Sequence, residues 1–215
     1  MDVLLSTAIA NWISALAAIG SASAIWFIWK QVDLLKSQII EDHKRSRREM
    51  AVNLLLEWSR NLKQHSSAAR KLVETLNAEQ SRCLLKQETF KIDKKYKDLL
   101  YASISCSSEC KKDCEFSNDE IVLKQHCISN LRWQIICYLN SLEFILSAWR
   151  HNIADREIIE EQFEYLINDK EGHQLVHNFR IACGGPDTYP SLENFANHIK
   201  EKRNIKNGQG KTGNL

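Results

Sequence analysis

Proline and glycine are scarce in this sequence, which has only two prolines and seven glycines among its 215 residues. These two residues most often interrupt helices and mark turns, so their scarcity argues against a turn-rich β-structure. The apolar residues recur at intervals of three and four rather than in alternation, which is the period of a helix. The sequence therefore predicts an all-α fold.

Charged residues are absent from Val3 to Trp29. As a helix this segment would be about 40 Å long, whereas a bilayer core needs only about 20 apolar residues. A buried core helix of that length would normally carry a charge. A secretory signal peptide would begin with basic residues, where this chain has only Met1 and Asp2. Residues 1–29 are therefore predicted to form a transmembrane helix.

Basic residues are absent before this segment but dense after it, at Lys30, Lys36 and the run HKRSRR at 43–48. By the positive-inside rule, the N-terminus is expected to face out and the rest of the chain to be cytoplasmic. The odd number of cysteines, seven, agrees with this orientation, because an oxidising compartment would leave one of them unpaired. The chain is therefore expected to cross a membrane once.

The remaining sequence is long enough for one cytoplasmic domain with its own core. After Gly20 no glycine or proline interrupts the first helix, which is expected to continue as a juxtamembrane coiled-coil segment, residues 30–62. A cytosolic helical domain is predicted for 63–204. The basic end of the chain, 205–215, is poor in apolar residues and is predicted to be a disordered tail.

Capping and stop signals divide the cytoplasmic domain into further helices. They predict a helix over 67–80 capped by Ser66 or Ser67, and a long helix that begins at a capping box of Ser117 with Glu120 and ends near Asn152. A helix from Asp155 to Asn168 is predicted next. A further helix is expected to end at Gly184 and Gly185, and the last helix to run from Pro190 to about Arg203. The long helix carries apolar residues at heptad spacing, which predicts its core face. This stripe consists of Ile128, Leu131, Ile135, Tyr138, Leu142, Ile145 and Trp149.

Another stripe at heptad spacing, here called the seam, runs from the uncharged segment into the juxtamembrane helix. It consists of Thr7, Asn11, Ser14, Ala18, Ser21, Ile25, Ile28, Val32, Leu35 and Ile39. Its first half is small or polar, which favours close helix packing in lipid. Its second half is aliphatic, which favours a coiled coil in water. The chain is therefore expected to associate with copies of itself along the seam.

Two interpretations of the polar half of the seam stay open. In a ring of helices, Thr7, Asn11, Ser14 and Ser21 would face a water-filled lumen, because intramembrane polar groups line cavities or bundle interiors. Without a lumen the same side chains would only pack helices together, since a serine also satisfies itself on its own backbone. The first interpretation predicts a pore and the second an oligomer without one.

The segment RNLKQH places Arg60 and His65 at the R-x4-H spacing of HEPN ribonucleases, in which such a pair would activate a ribose 2′-hydroxyl. Composition alone predicts about one chance match of this kind. On a regular helix the two side chains would also point in different directions, so a solvated face is the favoured interpretation. No phosphate-binding glycine loop, nucleophile elbow or Asp/His catalytic set is present in the sequence, and neither an enzyme nor a cofactor is predicted.

Three cysteines, Cys106, Cys110 and Cys114, are spaced four residues apart, with His126 and Cys127 downstream as candidates for a fourth metal ligand. Cysteine thiolates of this kind bind zinc. Structural zinc sites usually pair their cysteines, however, and lysines interrupt this run. A reduced cysteine is ordinarily a small apolar residue, so no metal site is predicted and a zinc site is the alternative.

Two stretches carry a resemblance to a known group of proteins. RREMAVNLLLEWSRNL contributes Arg48, Ala51 and Trp58, and YLNSLEFILSAWRHNIADREIIEEQF contributes Asn140 and Glu143. With the N-terminal span and the basic junction, the chain resembles a family of small single-span bacterial inner-membrane proteins of unknown function found in anti-phage islands, including effectors beside retrons. It is similar, more distantly, to the HEPN-like membrane pore protein that accompanies some RNA-targeting CRISPR nucleases.

The resemblance implies an oligomeric effector that permeabilises or depolarises the inner membrane after infection. Its implied partners are copies of itself, the lipid bilayer and a retron or CRISPR ribonucleoprotein. Two other functions stay open: a membrane-anchored HEPN-like ribonuclease, and a non-catalytic scaffold or sensor for a partner nuclease or reverse transcriptase. Asn140 and Glu143 lie within one turn of each other and are expected to be structural, binding helix ends or a partner arginine.

Overall fold

The computed structural model is predominantly helical, in agreement with the predicted all-α class. The residues that it describes are 2–62, 64–104, 114–116, 119–168 and 173–209. The chain divides into two compact units, residues 1–46 and 47–215. The first unit is part of a single long helix, and the second contains the core.

The helices, numbered along the chain, are α1 (Asp2–Asn61), α2 (Gln64–Glu74), α3 (Ala78–Lys86), α4 (Lys97–Ser103), α5 (Gln125–Arg150), α6 (Arg156–Phe163), α7 (His177–Ala182) and α8 (Pro190–Gln209). Short 3₁₀ turns occupy Lys94–Tyr96, Glu164–Leu166 and Gly185–Asp187. The strands are β1 (Phe90–Asp93), β2 (Glu115–Phe116), β3 (Glu120–Leu123), β4 (Ile167–Asn168) and β5 (His173–Gln174). As predicted, α1 runs without a break from the uncharged segment almost to residue 62.

Helix α5 forms the centre of the second unit, with α2, α3, α6 and α8 packed around it. All seven residues of its predicted core stripe, from Ile128 to Trp149, are buried, so this prediction is confirmed. Trp58 of α1 makes edge contacts with Tyr138 and Phe163, with ring centroids 5.3 and 5.5 Å apart. Each such aromatic pair adds about 0.5–1.5 kcal/mol beyond the burial of its surface.

Two small antiparallel sheets were not predicted from the sequence. One has the strand order β1-β3-β2, with Phe90 opposite Leu123 and Asp93 opposite Glu120, and the other pairs β4 with β5. The predicted capping box of Ser117 with Glu120 is therefore wrong, because Glu120 begins strand β3 and helix α5 begins only at Gln125. Ser117 itself lies outside the described residues. The Glu120 carboxylate instead binds the Lys91 ammonium across the sheet, at 2.7 Å.

The helix predicted over 67–80 is in fact two helices, α2 and α3, separated by a turn. The sequence signal for this break is Asn77, whose side-chain oxygen accepts a hydrogen bond from the Gln80 amide at 2.8 Å. The Gln80 side chain in turn accepts one from the Asn77 amide at 2.9 Å, which completes a capping box. The predicted caps Ser66 and Ser67 are wrong, because α2 begins at Gln64 and both serines lie within the helix; the observed capping box belongs to α3.

Later helix boundaries agree with the sequence signals in part. The predicted start of α6 is confirmed, because the Asp155 side chain caps this helix and accepts a hydrogen bond from the Glu157 amide at 3.1 Å. The predicted end at Asn168 is wrong: α6 ends at Phe163, and the following residues form a 3₁₀ turn and β4. The predicted glycine stop is confirmed, since Gly184 has a φ of 111°. Helix α8 begins at Pro190 as predicted and continues to Gln209, into the predicted tail, whose last residues, 210–215, lie outside the described residues.

Candidate functional site

The aliphatic half of the seam is exposed along α1. Ile25, Ile28, Val32, Leu35 and Ile39 have relative exposures of 68, 59, 56, 55 and 53%. More than half of each residue's surface is therefore open to its surroundings. Contiguous exposed apolar surface of this kind marks a site of protein or membrane interaction.

The opposite side of the same helical segment is polar. At 3.6 residues per turn, Lys30, Asp33, Ser37, Glu41 and Lys44 fall on one face, away from the seam. Lys44 binds Glu41 within this face, at 2.9 Å. From Lys30 to Lys44, α1 thus carries an aliphatic stripe and a charged stripe on opposite sides, and the exposed side chains of Leu34 and Ile40 border the charged one. This separation favours a helix that is covered on one side only.

The structure tests the polar half of the seam at one position. Ser14 is exposed, whereas the side chains of Thr7, Asn11, Ala18 and Ser21 lie outside the described residues. Trp26, Phe27 and Trp29, which follow the polar half, are all exposed. Among the parts of the chain that the structure describes, no helix combines the length and the apolar character needed to cross a membrane.

The candidate ribonuclease pair is divided between two helices. Arg60 lies exposed in the last turn of α1, and His65 lies in α2, beyond the point at which the helix stops. The His65 side chain lies outside the described residues. The R-x4-H spacing therefore does not lie on one continuous helix.

The candidate zinc ligands are brought together in part. Cys114 and Cys127 are both buried, and their sulfur atoms are 3.3 Å apart. His126, the other candidate for a fourth ligand, is exposed, and Cys106 and Cys110 lie outside the described residues. Over the described ranges, no group of three or more His, Cys, Asp or Glu side chains converges on a possible metal position.

A polar cluster that the sequence did not indicate surrounds Glu160. Its carboxylate accepts hydrogen bonds from the Trp149 indole at 3.0 Å and the Lys202 ammonium at 2.7 Å, and His198 Nε2 lies 3.0 Å from Oε1. Burial alone would raise the pKa of Glu160, but the hydrogen bonds from Lys202 and Trp149 outweigh it and hold this pKa below its ordinary value of 4.5. The carboxylate is charged and already bound, which suits an anchor between α5, α6 and α8 better than a general base.

A second carboxylate, Glu143, caps helix α8. Its two oxygens accept hydrogen bonds from the Ser191 and Leu192 amides, at 2.8 and 2.9 Å. Nearby, the fully buried guanidinium of Arg180 pairs with Glu193, and burial lowers the pKa of Arg180 against the effect of both glutamates. The expectation that Glu143 would bind a helix end is thus confirmed, although Asn140 is exposed rather than buried.

Other residues that carry the family resemblance also have structural partners. Ala51 and Trp58 are buried in the core, and Arg48 Nε lies 3.5 Å from the Asp155 carboxylate that caps α6. The Asp155 amide also donates a hydrogen bond to the Arg47 carbonyl, at 3.0 Å. These contacts join α1 to the start of α6 within the second unit.

A groove of about 370 Å³ separates the end of α1 from the middle of α5. Its walls combine four apolar and four polar side chains: Leu54, Trp58, Phe144, Ile145, Glu57, Asn61, Asn140 and Ser141. The Glu57 carboxylate accepts a hydrogen bond from the Asn61 amide group, at 2.8 Å. Among the described residues that line the groove, Glu57 is the one ionisable side chain.

Comparison of the chain with protein-family models, with curated proteins and with solved structures gave no match. Of the surfaces described above, the seam combines the longest regular pattern in the sequence with exposure in the structure. The sequence signal that finds it is the heptad register, which is continuous across Ile25.

Proposed function

We propose that this chain is a self-associating protein of the bacterial inner membrane that acts in anti-phage defence by permeabilising that membrane. The observation that carries the proposal is the exposed aliphatic seam on α1, opposite a charged face. An aliphatic heptad stripe in water is stable when it packs against another such stripe. A second copy of the same chain presents an identical stripe, and symmetric self-association is the commonest form of oligomer.

Sequence supports the membrane location. The residues from Val3 to Trp29 carry no charge, and Lys30 and the 43–48 run follow them directly. Trp26 and Trp29 lie at the end of this segment, where amphipathic rings occupy the membrane interface. The Lys30 ammonium lies 5.3 Å from the centre of the Trp26 ring, a cation–π contact that suits the same boundary.

The polar half of the seam supports permeabilisation rather than anchoring alone. Thr7, Asn11, Ser14 and Ser21 share one helix face in the register of the aliphatic half. When the aliphatic halves pack together, the same register turns these polar groups toward the centre of the assembly. Polar side chains at membrane depth are stable where they line a water-filled cavity or meet one another.

The proposed mechanism has two steps. A trigger, such as a retron or CRISPR ribonucleoprotein that senses infection, raises the local number of chains or releases their second units. The α1 helices then assemble along the seam and ions leak through the polar centre. The resemblance to membrane effectors of anti-phage islands supports the defence role, and the seam supports the mode of action.

Two serine substitutions on one helix test this function with a matched control. Ser14→Leu fills the proposed lumen face, whereas Ser23→Leu makes the same chemical change on the other side of α1. On induced expression, a potential-sensitive dye is expected to report depolarisation for the native chain and for Ser23→Leu, but not for Ser14→Leu. Asn11→Leu is expected to behave as Ser14→Leu does. Undiminished depolarisation in Ser14→Leu and Asn11→Leu would reject the lumen.

The same experiment distinguishes the two other functions. A ribonuclease would leave the membrane potential intact and fragment cellular RNA, and His65→Ala would prevent the fragmentation. A scaffold would keep its effect when residues 1–29 are replaced by an unrelated membrane anchor. Either result would replace the proposed function, and cell fractionation that recovers the native chain outside the membrane would reject its location.

A further inference from the structure

Two cysteines in the second unit have sulfur atoms in contact. Cys114 directly precedes β2, Cys127 lies in the first turn of α5, and their Sγ atoms are 3.3 Å apart. Cys114 is 5% exposed and Cys127 is fully buried. We propose that Cys114 and Cys127 are a peroxide-reactive thiol pair that closes an internal disulfide.

The strand pairing explains how residues so far apart in the chain come together. Strand β2 runs antiparallel to β3, with Glu115 opposite Val122 and Phe116 opposite Ile121. Strand β3 leads almost directly into α5, so the start of this helix, with Cys127, lies close to the start of β2, with Cys114. The backbones are therefore held in position before any bond forms. A disulfide is about 2.05 Å long, so the sulfurs need to approach by only about 1.2 Å.

The geometry favours a disulfide over a metal site. Two thiolates on a tetrahedral zinc ion, with bonds of about 2.3 Å, would lie about 3.8 Å apart, and these sulfurs are already closer. The adjacent residue His126 is exposed.

The reaction needs one hydrogen peroxide for each pair of thiols. Cys114 retains some exposure, so its thiolate attacks the peroxide: a sulfur–oxygen bond forms, the oxygen–oxygen bond breaks and one water leaves after protonation. The Cys127 sulfur then attacks the Cys114 sulfur, the sulfur–oxygen bond breaks and a second water leaves. Two thiols and one peroxide thus give one disulfide and two waters.

The bond would tie the edge strand β2 to the central helix α5. It closes a loop of about a dozen residues and so restricts the unfolded chain, which raises the melting temperature of the oxidised protein by about 6–12 °C. Oxidation therefore stabilises the sheet and the start of α5 against separation. The inference concerns the second unit alone and does not depend on the proposed action at the membrane.

The test uses the full chain in detergent, treated with hydrogen peroxide, alkylated, digested and analysed by mass spectrometry. A peptide that links Cys114 to Cys127 is expected, together with a higher melting temperature that a dithiol reagent reverses. Cys137→Ser is the matched control, because Cys137 is an exposed cysteine on α5, and it should leave the linked peptide unchanged. In Cys127→Ser, the sulfenic acid of Cys114 should accumulate and react with a dimedone probe.

A variant that retains only this pair sharpens the measurement. It replaces the other cysteines with serine, at positions Cys83, Cys106, Cys110, Cys137 and Cys183. Peroxide should consume two thiols per chain in this variant without linking chains to each other. If the five replacements prevent folding, the peptide linkage mapped in the native chain still decides the question.

Three results would overturn the inference. In the native chain, peroxide could link Cys114 or Cys127 to Cys106 or Cys110 instead. It could also oxidise Cys114 to sulfinic acid with no linked peptide. Finally, purified chain incubated with zinc could bind one ion and protect both thiols from alkylation, which would establish a metal site in place of the disulfide.

Discussion

Replacement of Glu143 by alanine is expected to destabilise the chain strongly, although this residue of α5 is only partly buried. Its carboxylate holds the first turn of α8 through hydrogen bonds from the Ser191 and Leu192 amides, at 2.8 and 2.9 Å. Both residues that donate these bonds are buried, at 2 and 0% exposure, so water does not readily replace the lost acceptor. A helix N-terminus also favours a negative charge beside it.

The magnitude follows from the number of bonds lost. Each buried donor left without a partner costs about 1–3 kcal/mol, and loss of a helix cap costs about 0.5–2 kcal/mol. For Glu143→Ala we expect a loss of about 2–4 kcal/mol in the free energy of unfolding, or about 5–15 °C in melting temperature. Glu143→Gln keeps one acceptor oxygen and should lose about half as much.

The assay is urea unfolding of the full chain in a mild detergent, followed by circular dichroism at 222 nm. Asn140→Ala is the matched control, because Asn140 lies one turn away on the same helix and is exposed. It should change the unfolding free energy by less than about 0.5 kcal/mol. The reasoning fails if Glu143→Ala also stays within that range, or if Asn140→Ala costs as much as Glu143→Ala.

Three further substitutions test the core, the charged anchor and a turn. Leu131→Ala removes a fully buried side chain and should cost about 2–5 kcal/mol in urea unfolding, whereas Trp133→Ala, at a position 67% exposed, should be nearly neutral; equal losses would contradict the packing. Glu160→Gln should cost about 1–2 kcal/mol near pH 7. The pKa of Glu160 is lowered in the fold, so its contribution is complete above about 4.5 and is lost as the pH falls through the folded value. The melting temperatures of the native chain and the variant should therefore converge in acid. A difference in melting temperature that persists at the lowest pH would show that the charge of Glu160 is not the source of the stabilisation. Gly184→Ala should lower stability by about 1–3 kcal/mol, because φ is 111° and the added carbon would lie 2.7 Å from the Thr188 hydroxyl oxygen; an unchanged melting temperature would refute this strain.

The parts of the fold that could be predicted from the sequence are those with a long regular pattern. The stripe from Ile128 to Trp149 repeats over a whole helix, so each position supports the next, and all of it is buried. The glycine stop at Gly184 and the start at Pro190 depend on single residues with strong backbone preferences. Helices marked by a long repeat, and helix ends marked by a residue with a strict backbone preference, can therefore be predicted without the tertiary structure.

The strands could not be predicted because their signals are short and their partners distant. Strand β3 has only four residues. Its first residue, Glu120, follows Ser117 at the spacing of a capping box, so the sequence alone predicts the start of a helix. The choice between cap and strand is made by the antiparallel ladder with the distant strand β1, to which the exposed Lys91–Glu120 ion pair adds little. A helix formed there would lose this ion pair and the ladder with β1, so tertiary contacts override the local signal.

The site residues also differ in how far the sequence alone could identify them. The heptad register identified the seam, and the structure leaves its aliphatic half uncovered, but a single chain contains no information on the number of copies that meet there. The sequence grouped Cys114 with His126 and Cys127 as candidate metal ligands, but only the β2–β3 hairpin shows that Cys127 is the residue whose sulfur meets that of Cys114. Glu160 gave no signal, since its partners Trp149 and Lys202 come from separate helices.

Photocrosslinking along α1 in native membranes tests the central claim, which is self-association through the seam, most directly. A photoreactive residue is placed at Val32, in the exposed aliphatic stripe, and in a matched chain at Ser37, on the charged face. Illumination is expected to join copies of the chain into dimers and larger products from Val32, with a several-fold lower yield from Ser37. Equal yields from the two positions, or a chain that remains monomeric at both, would contradict the claim.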